Sequence, residues 1–358
     1  MPKTIRVFVV DDSMSFRKML IENLSKYSEI EVVGYAVDAF DAMRKIPALK
    51  PDVVTLDVEM PRMSGLDFLK KLLPQHPVPV ILVSSLNLRL FDALSAGAVD
   101  FVRKPDMDRI TVSTFIVNLI TKIKIASIAK VKIPQQSHAQ PAVSSRAAVG
   151  SEALDKLNTR LTASSLKLNS FVIAIGASTG GTEATLAVLK HLPADTPGIV
   201  VTQHMPEGFT KMYADRLDRI CNMRVREAKN GDLVERGLVL IAPGDYQMRV
   251  VKTGQHYTVK CTKEQKVSGH MPSVDVLFDS MAANVMEGMG IILTGMGQDG
   301  AKGLLKMRQK GFYTIGQSKE SCVVYGMPME ANKIGAVVQE APCEKIPSMI
   351  MKHLNSLK

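Results

Sequence analysis

The sequence predicts an α/β protein of two domains: a five-stranded parallel sheet, then a larger doubly wound, mainly parallel domain carrying an antiparallel hairpin. Three observations predict it. At 358 residues the chain is longer than one typical core serves, so two domains are expected. Short β-branched runs alternate with helical patterns, and strand–helix alternation implies a parallel sheet with helices on both faces. Residues 126–168 interrupt that alternation, which then resumes.

In residues 1–125 the strands are "IRVFVV", "EVVGYA", "DVVTLDV", "PVILVSS" and "VDFVRK". Helical patterns lie between them, as in "SFRKMLIENLSK" and "DAFDAMRKIPAL". "LNLRLFDALSAGA" follows the fourth strand and "MDRITVSTFIVNLITKI" the fifth. The next stretch contains "PQQSHAQPAVSSRAAVGS", a Gln/Ser/Ala/Pro composition without periodicity that marks a flexible linker over 126–168. Its start is expected to continue the preceding helix and its end to form a short helix.

Residues 169–358 open a second α/β pattern with the strands "FVIAIG", "GIVVTQ", "MRVREA", "GLVLIAP", "GIILTG" and "FYTIGQ". Helices are expected at "TEATLAVLKHL", "SVDVLFDSMAANVM" and "DGAKGLLKMRQKG". "QMRVVKTGQHYTVKCTK" differs: two alternating runs around Thr253-Gly254-Gln255 predict an antiparallel hairpin. A mixed, mainly parallel sheet is expected for this half.

Composition narrows the function. No apolar run approaches the ~18–20 residues of a membrane span, and the N-terminal segment lacks a secretory pattern, so a cytoplasmic protein without membrane insertion is expected. Cys221, Cys261, Cys322 and Cys343 form no C-x-x-C pair and read as reduced thiols rather than a zinc site. The net charge of +10 is diffuse and Trp is absent, which argues against nucleic acid as a partner.

In open α/β sheets, ligands gather beyond the carboxyl ends of the strands. In the first domain those ends carry Asp11 and Asp12, Asp57, Ser84, and Lys104 followed by Pro105. Any one Asp is most simply a helix cap or turn residue. Three carboxylates converging on one crevice repel unless a cation sits among them, and oxygen-only ligands favour Mg²⁺.

"VVDDS", "LDVEMPRMSG" and "VRKP" resemble the receiver domain of two-component response regulators over residues 4–125, with its flavodoxin-like fold. The resemblance implies that Asp57 accepts a phosphoryl group. Asp12, Asp57 and the backbone carbonyl of Glu59 would hold Mg²⁺, with Asp11 acting through water. Ser84 would bond a phosphoryl oxygen, Lys104 would neutralise it, and Phe101 would turn inward on activation. Ser64 stands where many relatives carry Asp, a departure expected to be neutral.

In the second domain, "IGASTGG" supports three readings. It lacks the G-K-[ST] ending of a P-loop, and its glycine spacing fails the dinucleotide fingerprint. Gly176 to Gly180 fits G-x-S-x-G, the strand–turn–helix nucleophile elbow, with Ser178 at its apex. A plain Gly-rich turn with Ser178 capping the next helix is the competing reading. A serine nucleophile needs a base, and the base needs an orienting carboxylate. His191 and His256 have structural explanations at a helix end and on the hairpin. His204 lies just beyond "GIVVTQ", and His270 lies in the loop "SGHMP". Asp299, in a second strand–Gly-turn–helix unit, has an N-cap as its simpler role. Ser178–His204–Asp299 and an α/β-hydrolase-ordered alternative with Asp245 and His270 both remain open on the residues alone.

"IGASTGGTEA", "QHMPEGFT", "LIAPGDYQM", "PSVDVLFDSMA" and "ILTGMGQDGAKGL" resemble the chemotaxis receptor methylesterases, the CheB family, and the likeness spans receiver, linker and effector in order. It implies the triad Ser178, His204 and Asp299, with the Met296 amide as oxyanion donor and no cofactor for the ester chemistry. The implied activity is hydrolysis of glutamate γ-methyl esters on chemoreceptor helices, with deamidation of receptor glutamines beside it. A chemotaxis histidine kinase would phosphorylate Asp57. In the family the unphosphorylated receiver packs across the effector active site, and a monomer is expected. Two rivals weigh less: a DNA-binding output predicts a short helix-turn-helix domain instead of about 190 residues of α/β, and a nucleotide-binding module lacks its phosphate motif.

Overall fold

The computed structural model describes residues 4–85, 89–105, 111–131 and 170–357. The chain divides into two compact units, Met1–Pro134 and Gln135–Lys358.

The first unit is a five-stranded parallel sheet in the order β2-β1-β3-β4-β5, from β1 (Ile5–Val10), β2 (Ile30–Ala36), β3 (Val53–Asp57), β4 (Val80–Ser84) and β5 (Asp100–Arg103). β3 and β4 are buried along their whole length, as expected of strands covered on both faces. The helices are α1 (Met14–Leu24), α2 (Ala39–Leu49), α3 (Gly65–Gln75), α4 (Arg89–Ser95) and α5 (Val112–Ala126). Side chains set most of their starts: Ser13, Asp38, Ser64 and Thr111 each accept a backbone N–H from the first turn. Ser64 thus caps α3 by accepting from the Asp67 amide. α5 ends at Ala126, so the helix reaches the first residue of the expected linker and stops there, the Ser127 amide closing onto the Ile123 and Ile125 carbonyls. The rest of the expected linker from residue 132, with its short helix, lies outside the described residues.

The second unit holds a seven-stranded sheet in the order β14-β13-β12-β6-β7-β9-β8. Its strands are β6 (Val172–Ala177), β7 (Ile199–Gln203), β8 (Arg224–Glu227), β9 (Leu238–Ile241), β12 (Gly288–Ile292), β13 (Tyr313–Gln317) and β14 (Gln339–Ala341). Every pairing in it is parallel, where a mixed sheet was expected. The antiparallel hairpin, β10 (Gln247–Thr253) with β11 (His256–Thr262), forms its own two-stranded sheet. The helices are α6 (Gly181–Leu189), α7 (Phe209–Ile220), α8 (Val274–Asn284), α9 (Ala301–Gln309), α10 (Met327–Lys333) and α11 (Ile346–Ser356).

Strand alternation divides the core. Val172, Ala174, Val200, Leu238 and Leu240 pack with Leu277, Phe278 and Met281 of α8, Leu304 and Met307 of α9, and Met248 and Val250 of the hairpin. The hairpin is therefore bound through apolar burial against α8 rather than by joining the main sheet. Around β6 the chain departs in two directions, to β7 on one side and to the β12–β13–β14 half on the other. Such a switch point opens a crevice beyond the strand ends. Among the described residues no helix is long and apolar enough to cross a membrane.

Candidate active site and phosphoacceptor pocket

In the first unit, β1, β3, β4 and β5 deliver their polar ends to one edge. Carboxylate oxygens of Asp11, Asp12 and Asp57 all lie within 4.8 Å of one another. Lys104 Nζ donates to Asp57 Oδ2 at 2.5 Å and to Asp11 Oδ2 at 2.9 Å. Burial pushes the Asp57 carboxyl above its ordinary range; Lys104 and the Glu59 amide offset this only in part, and Asp11 adds repulsion. Burial would lower the Lys104 pKa, yet two facing carboxylates raise it. The asymmetry has a simple cause, since Lys104 meets two anions while Asp57 meets one cation. Ser84 is buried and donates to the Ser85 carbonyl at 2.9 Å, and Phe101 is buried.

Arg17 escaped the sequence reading. Buried on α1, it donates Nη1 to the carbonyls of Asp11 (2.7 Å) and Asp12 (3.0 Å), bracing the acidic turn from below. The Lys104 ammonium also lies 4.5 Å from the centre of the Phe16 ring. Carboxylate oxygens within 4.8 Å of one another are compatible with the ~4.2 Å across an octahedral Mg²⁺, and an all-oxygen donor set suits that ion.

In the second unit the Gly-turn after β6, the end of β7 and the loop after β12 meet at the switch point. Ala177 and Gln203 are register partners, and the His204 amide donates to the Ala177 carbonyl at 3.0 Å. The Ser178 amide donates to the Thr294 carbonyl at 3.0 Å, which ties the turn to the β12 loop. Gln203, also unforeseen, joins the two candidate residues: its Nε2 donates to the carbonyls of Ser178 (2.8 Å) and His204 (3.3 Å). Ser178 is 8% exposed.

Neither simpler role survives. The N-cap of α6 is Gly180, in the left-handed region with φ 76° and no side-chain cap, so the Ser178 hydroxyl does not cap it. The N-cap of α9 is likewise a glycine, Gly300, without a side-chain cap, so Asp299 does not cap its own helix. Its carboxylate turns to the N-terminus of α8 instead. Oδ1 accepts from Ser273 Oγ (2.8 Å) and the Asp275 amide (3.0 Å), and Oδ2 from the Val274 amide (2.8 Å). Oδ2 also meets His204 Nε2 at 2.7 Å. Burial would raise the Asp299 pKa, but His204 and the α8 amides hold it below the ordinary carboxylate range.

An ionised carboxylate only accepts hydrogen bonds, so His204 donates from Nε2 and its Nδ1 is the basic nitrogen. Nδ1 is buried and without a hydrogen-bond partner. The alternative base, His270, lies flat against His204, with ring centroids 3.7 Å apart and planes 9° apart. Asp245 sits in a turn after β9 with φ 60°. In the β12 loop the Gly295 amide donates to the Val324 carbonyl, while the Met296 amide donates to no acceptor among the described residues. Ser273 carries a legible sequence signal, an N-cap serine before an apolar helical run. Gln203 and the His270 stack carry none, because they depend on how separate loops meet.

Residues 173–350 match the family model for CheB methylesterase and residues 7–114 that for the response regulator receiver domain. A protein-glutamate methylesterase/protein-glutamine glutaminase of Syntrophomonas wolfei is 50% identical over 358 residues, 99% of each chain. A protein of that name from Sulfurimonas denitrificans is 46% identical over 359 residues, again 99% of each. The crystal structure of the Thermotoga maritima CheB methylesterase catalytic domain is 38% identical, with a TM-score of 0.50, covering 51% of this chain and 97% of that one. The chain therefore belongs to the CheB family of protein-glutamate methylesterases/protein-glutamine glutaminases and combines its catalytic domain with a response-regulator receiver domain.

Proposed function

We propose that this protein hydrolyses glutamate γ-methyl esters on chemoreceptors and deamidates receptor glutamines, with Ser178, His204 and Asp299 as its catalytic triad. One observation carries the reading: a buried imidazole held through Nε2 by a low-pKa carboxylate, its Nδ1 without partner, on a segment whose backbone is tied through Gln203 to a serine whose hydroxyl caps no helix. Buried polar atoms are nearly always paired, and the exceptions ask for a functional account.

His204 Nδ1 removes the Ser178 hydroxyl proton as Oγ bonds to the ester carbonyl carbon. The carbonyl oxygen gains the negative charge, and the Met296 amide donates to it; one such donor is worth ~10²–10³ in rate. Nδ1–H then gives its proton to the departing methoxy oxygen, and methanol leaves. A water molecule, deprotonated by the same nitrogen, attacks the acyl carbon and releases Ser178 and the glutamate carboxyl. With glutamine the same acyl-enzyme forms and ammonia leaves. The Asp299 carboxylate holds the tautomer and stabilises the imidazolium.

The receiver unit governs this activity through phosphorylation of Asp57, with a chemotaxis histidine kinase as donor and methylated chemoreceptor cytoplasmic helices as the effector's substrate. Asp12, Asp57 and the Glu59 carbonyl would hold Mg²⁺, with Asp11 acting through water, and the ion would supply charge neutralisation for the transferring phosphoryl group. Lys104 pairs with the phosphoryl oxygens, Ser84 donates to one of them, and Phe101 follows as the switch residue. The division is a receiver at 1–125, a linker at 126–168 and a catalytic domain at 169–358, in a monomer. Methanol release from methylated receptor membranes, with and without acetyl phosphate and Mg²⁺, tests the reading. Phosphodonor should accelerate the wild type and leave Asp57→Asn unmoved; equal stimulation of both removes Asp57 from control.

A further inference from the structure

We infer that His270 is a positioning residue for the esterase, a second imidazole whose flat face fixes the ring plane of the His204 base. The inference rests on the proposed triad and adds a residue to it. In the serine-protease arrangement the carboxylate grips Nδ1 and Nε2 serves the serine. Here the carboxylate grips Nε2, and Nδ1, which has no partner, is the nitrogen left for the serine. The exchange has a mechanical consequence. The χ2 axis of a histidine leaves the ring across its Cε1–Nε2 edge, so Nε2 lies nearer the axis than Nδ1 does. A hydrogen bond at Nε2 anchors the ring near its pivot and lets Nδ1 swing, and histidine χ2 preferences are broad and two-fold. A second restraint is needed.

The stack supplies one. With centroids 3.7 Å apart and planes within 9°, rotation of His204 by tens of degrees drives its edge into the His270 face. His270 is itself rigidly mounted. Its amide donates to the Val267 carbonyl at 2.9 Å and its carbonyl accepts from the Val267 amide at 3.0 Å. The turn between them has positive φ at both central residues, Ser268 (52°) and Gly269 (82°), the pattern of a type I′ turn. Fully buried Gln247 donates to the His270 carbonyl at 3.1 Å and accepts from the Ser273 amide at 2.8 Å. Ser273 Oγ in turn donates to Asp299. Stack, turn, Gln247, Ser273 and Asp299 thus close a ring of contacts around His204.

The test compares His270→Ala with His270→Phe in the full chain, measuring kcat and KM for methanol release from methylated receptor membranes. The alanine variant should lose ~10–100-fold in kcat with KM nearly unchanged, the signature of a misoriented base. Phenylalanine, which keeps a flat face, should recover most of that loss. An alanine variant with wild-type kcat overturns the inference, and so does a phenylalanine variant as poor as alanine. A readout without substrate separates this from failure of the triad: the imidazole ¹⁵N spectrum of His204. Wild type and His270→Phe should show one narrow pair of resonances, a bare Nδ1 and a protonated Nε2, and His270→Ala the same tautomer with its resonances broadened and shifted by ring motion. An unchanged spectrum in His270→Ala sinks the positioning role even if Ser178 proves to be the nucleophile. A changed spectrum in an enzyme that does not need Ser178 would indict the triad alone.

Discussion

Replacing Asp299 with asparagine tests the tautomer and the packing together. Each carboxylate oxygen accepts from two donors at 2.7–3.0 Å: Ser273 Oγ and the Asp275 amide on one, the Val274 amide and His204 Nε2 on the other. An asparagine keeps only one oxygen. If its NH₂ faces His204, the Val274 amide loses its acceptor and Nε2 must become the bare nitrogen, which leaves Nδ1 protonated and useless as a base. If its NH₂ faces Ser273, the Asp275 amide is orphaned instead. Hydrogen bonds to a charged group are worth roughly 1.5–3 kcal/mol each and an orphaned buried donor costs about 1–3 kcal/mol, so the catalytic unit should lose roughly 2–4 kcal/mol. In the serine-protease template the same exchange costs ~10⁴ in kcat, and ~10²–10⁴ is expected here. The stability gap should narrow on acidification. The Asp299 pKa is depressed on folding, so its contribution is present above the unfolded value of ~3.9 and is lost as pH falls through the folded value. Methanol-release kinetics and urea unfolding between pH 3 and 7 measure both effects. A variant within tenfold of wild-type kcat would refute the assigned role of Asp299.

Asp57→Asn should stop acetyl phosphate labelling while raising the melting temperature of the receiver unit. The folded Asp57 pKa is raised, mainly by burial, so its contribution to stability is present below ~3.9 and lost as pH rises through the folded value; a lower melting temperature at pH 7 would contradict this. Gly295→Ala places a Cβ 2.3 Å from Met327 Sδ and 2.6 Å from Ser178 Cβ, so the loop must shift away from the serine. We expect a loss of about 1–3 kcal/mol in stability and most of kcat, read by unfolding and methanol release. Gln203→Leu removes the donor shared by the Ser178 and His204 carbonyls and should cost about 1–3 kcal/mol with a fall in kcat. Unchanged activity would show that the two strand ends hold position without it.

The architecture was legible because parallel strands announce themselves. "VVTLD" and "IVVTQ" are continuous apolar runs ending in polar residues, and both became strands buried throughout that present those residues at the sheet edge. β12 begins at Gly288, two residues before the expected "GIILTG", because Gly288 already pairs with Val172 of the neighbouring strand. α3 was not singled out: its apolar face is plain once Ser64 is seen as its cap, but the run follows directly on the phosphoacceptor loop. β14 is three residues long and two of them are exposed, too short to show a period. Within the site, Ser178, His204 and Asp299 stand at strand ends whose positions follow from the β–α alternation. The choice between His204 and His270 could not be made from local patterns, since the two rings stack face to face and the contact with Asp299 that marks His204 depends on how distant loops meet. Arg17, Gln203 and Gln247 act on backbone carbonyls and amides of distant segments, a use that composition and spacing do not reveal.

The most direct measurement is the rate of methanol release from methylated receptor by Ser178→Ala, set beside wild type, with circular dichroism to verify that the fold is intact. The account predicts a folded protein whose rate falls to that of receptor alone. Methanol release at the wild-type rate from that variant would contradict it.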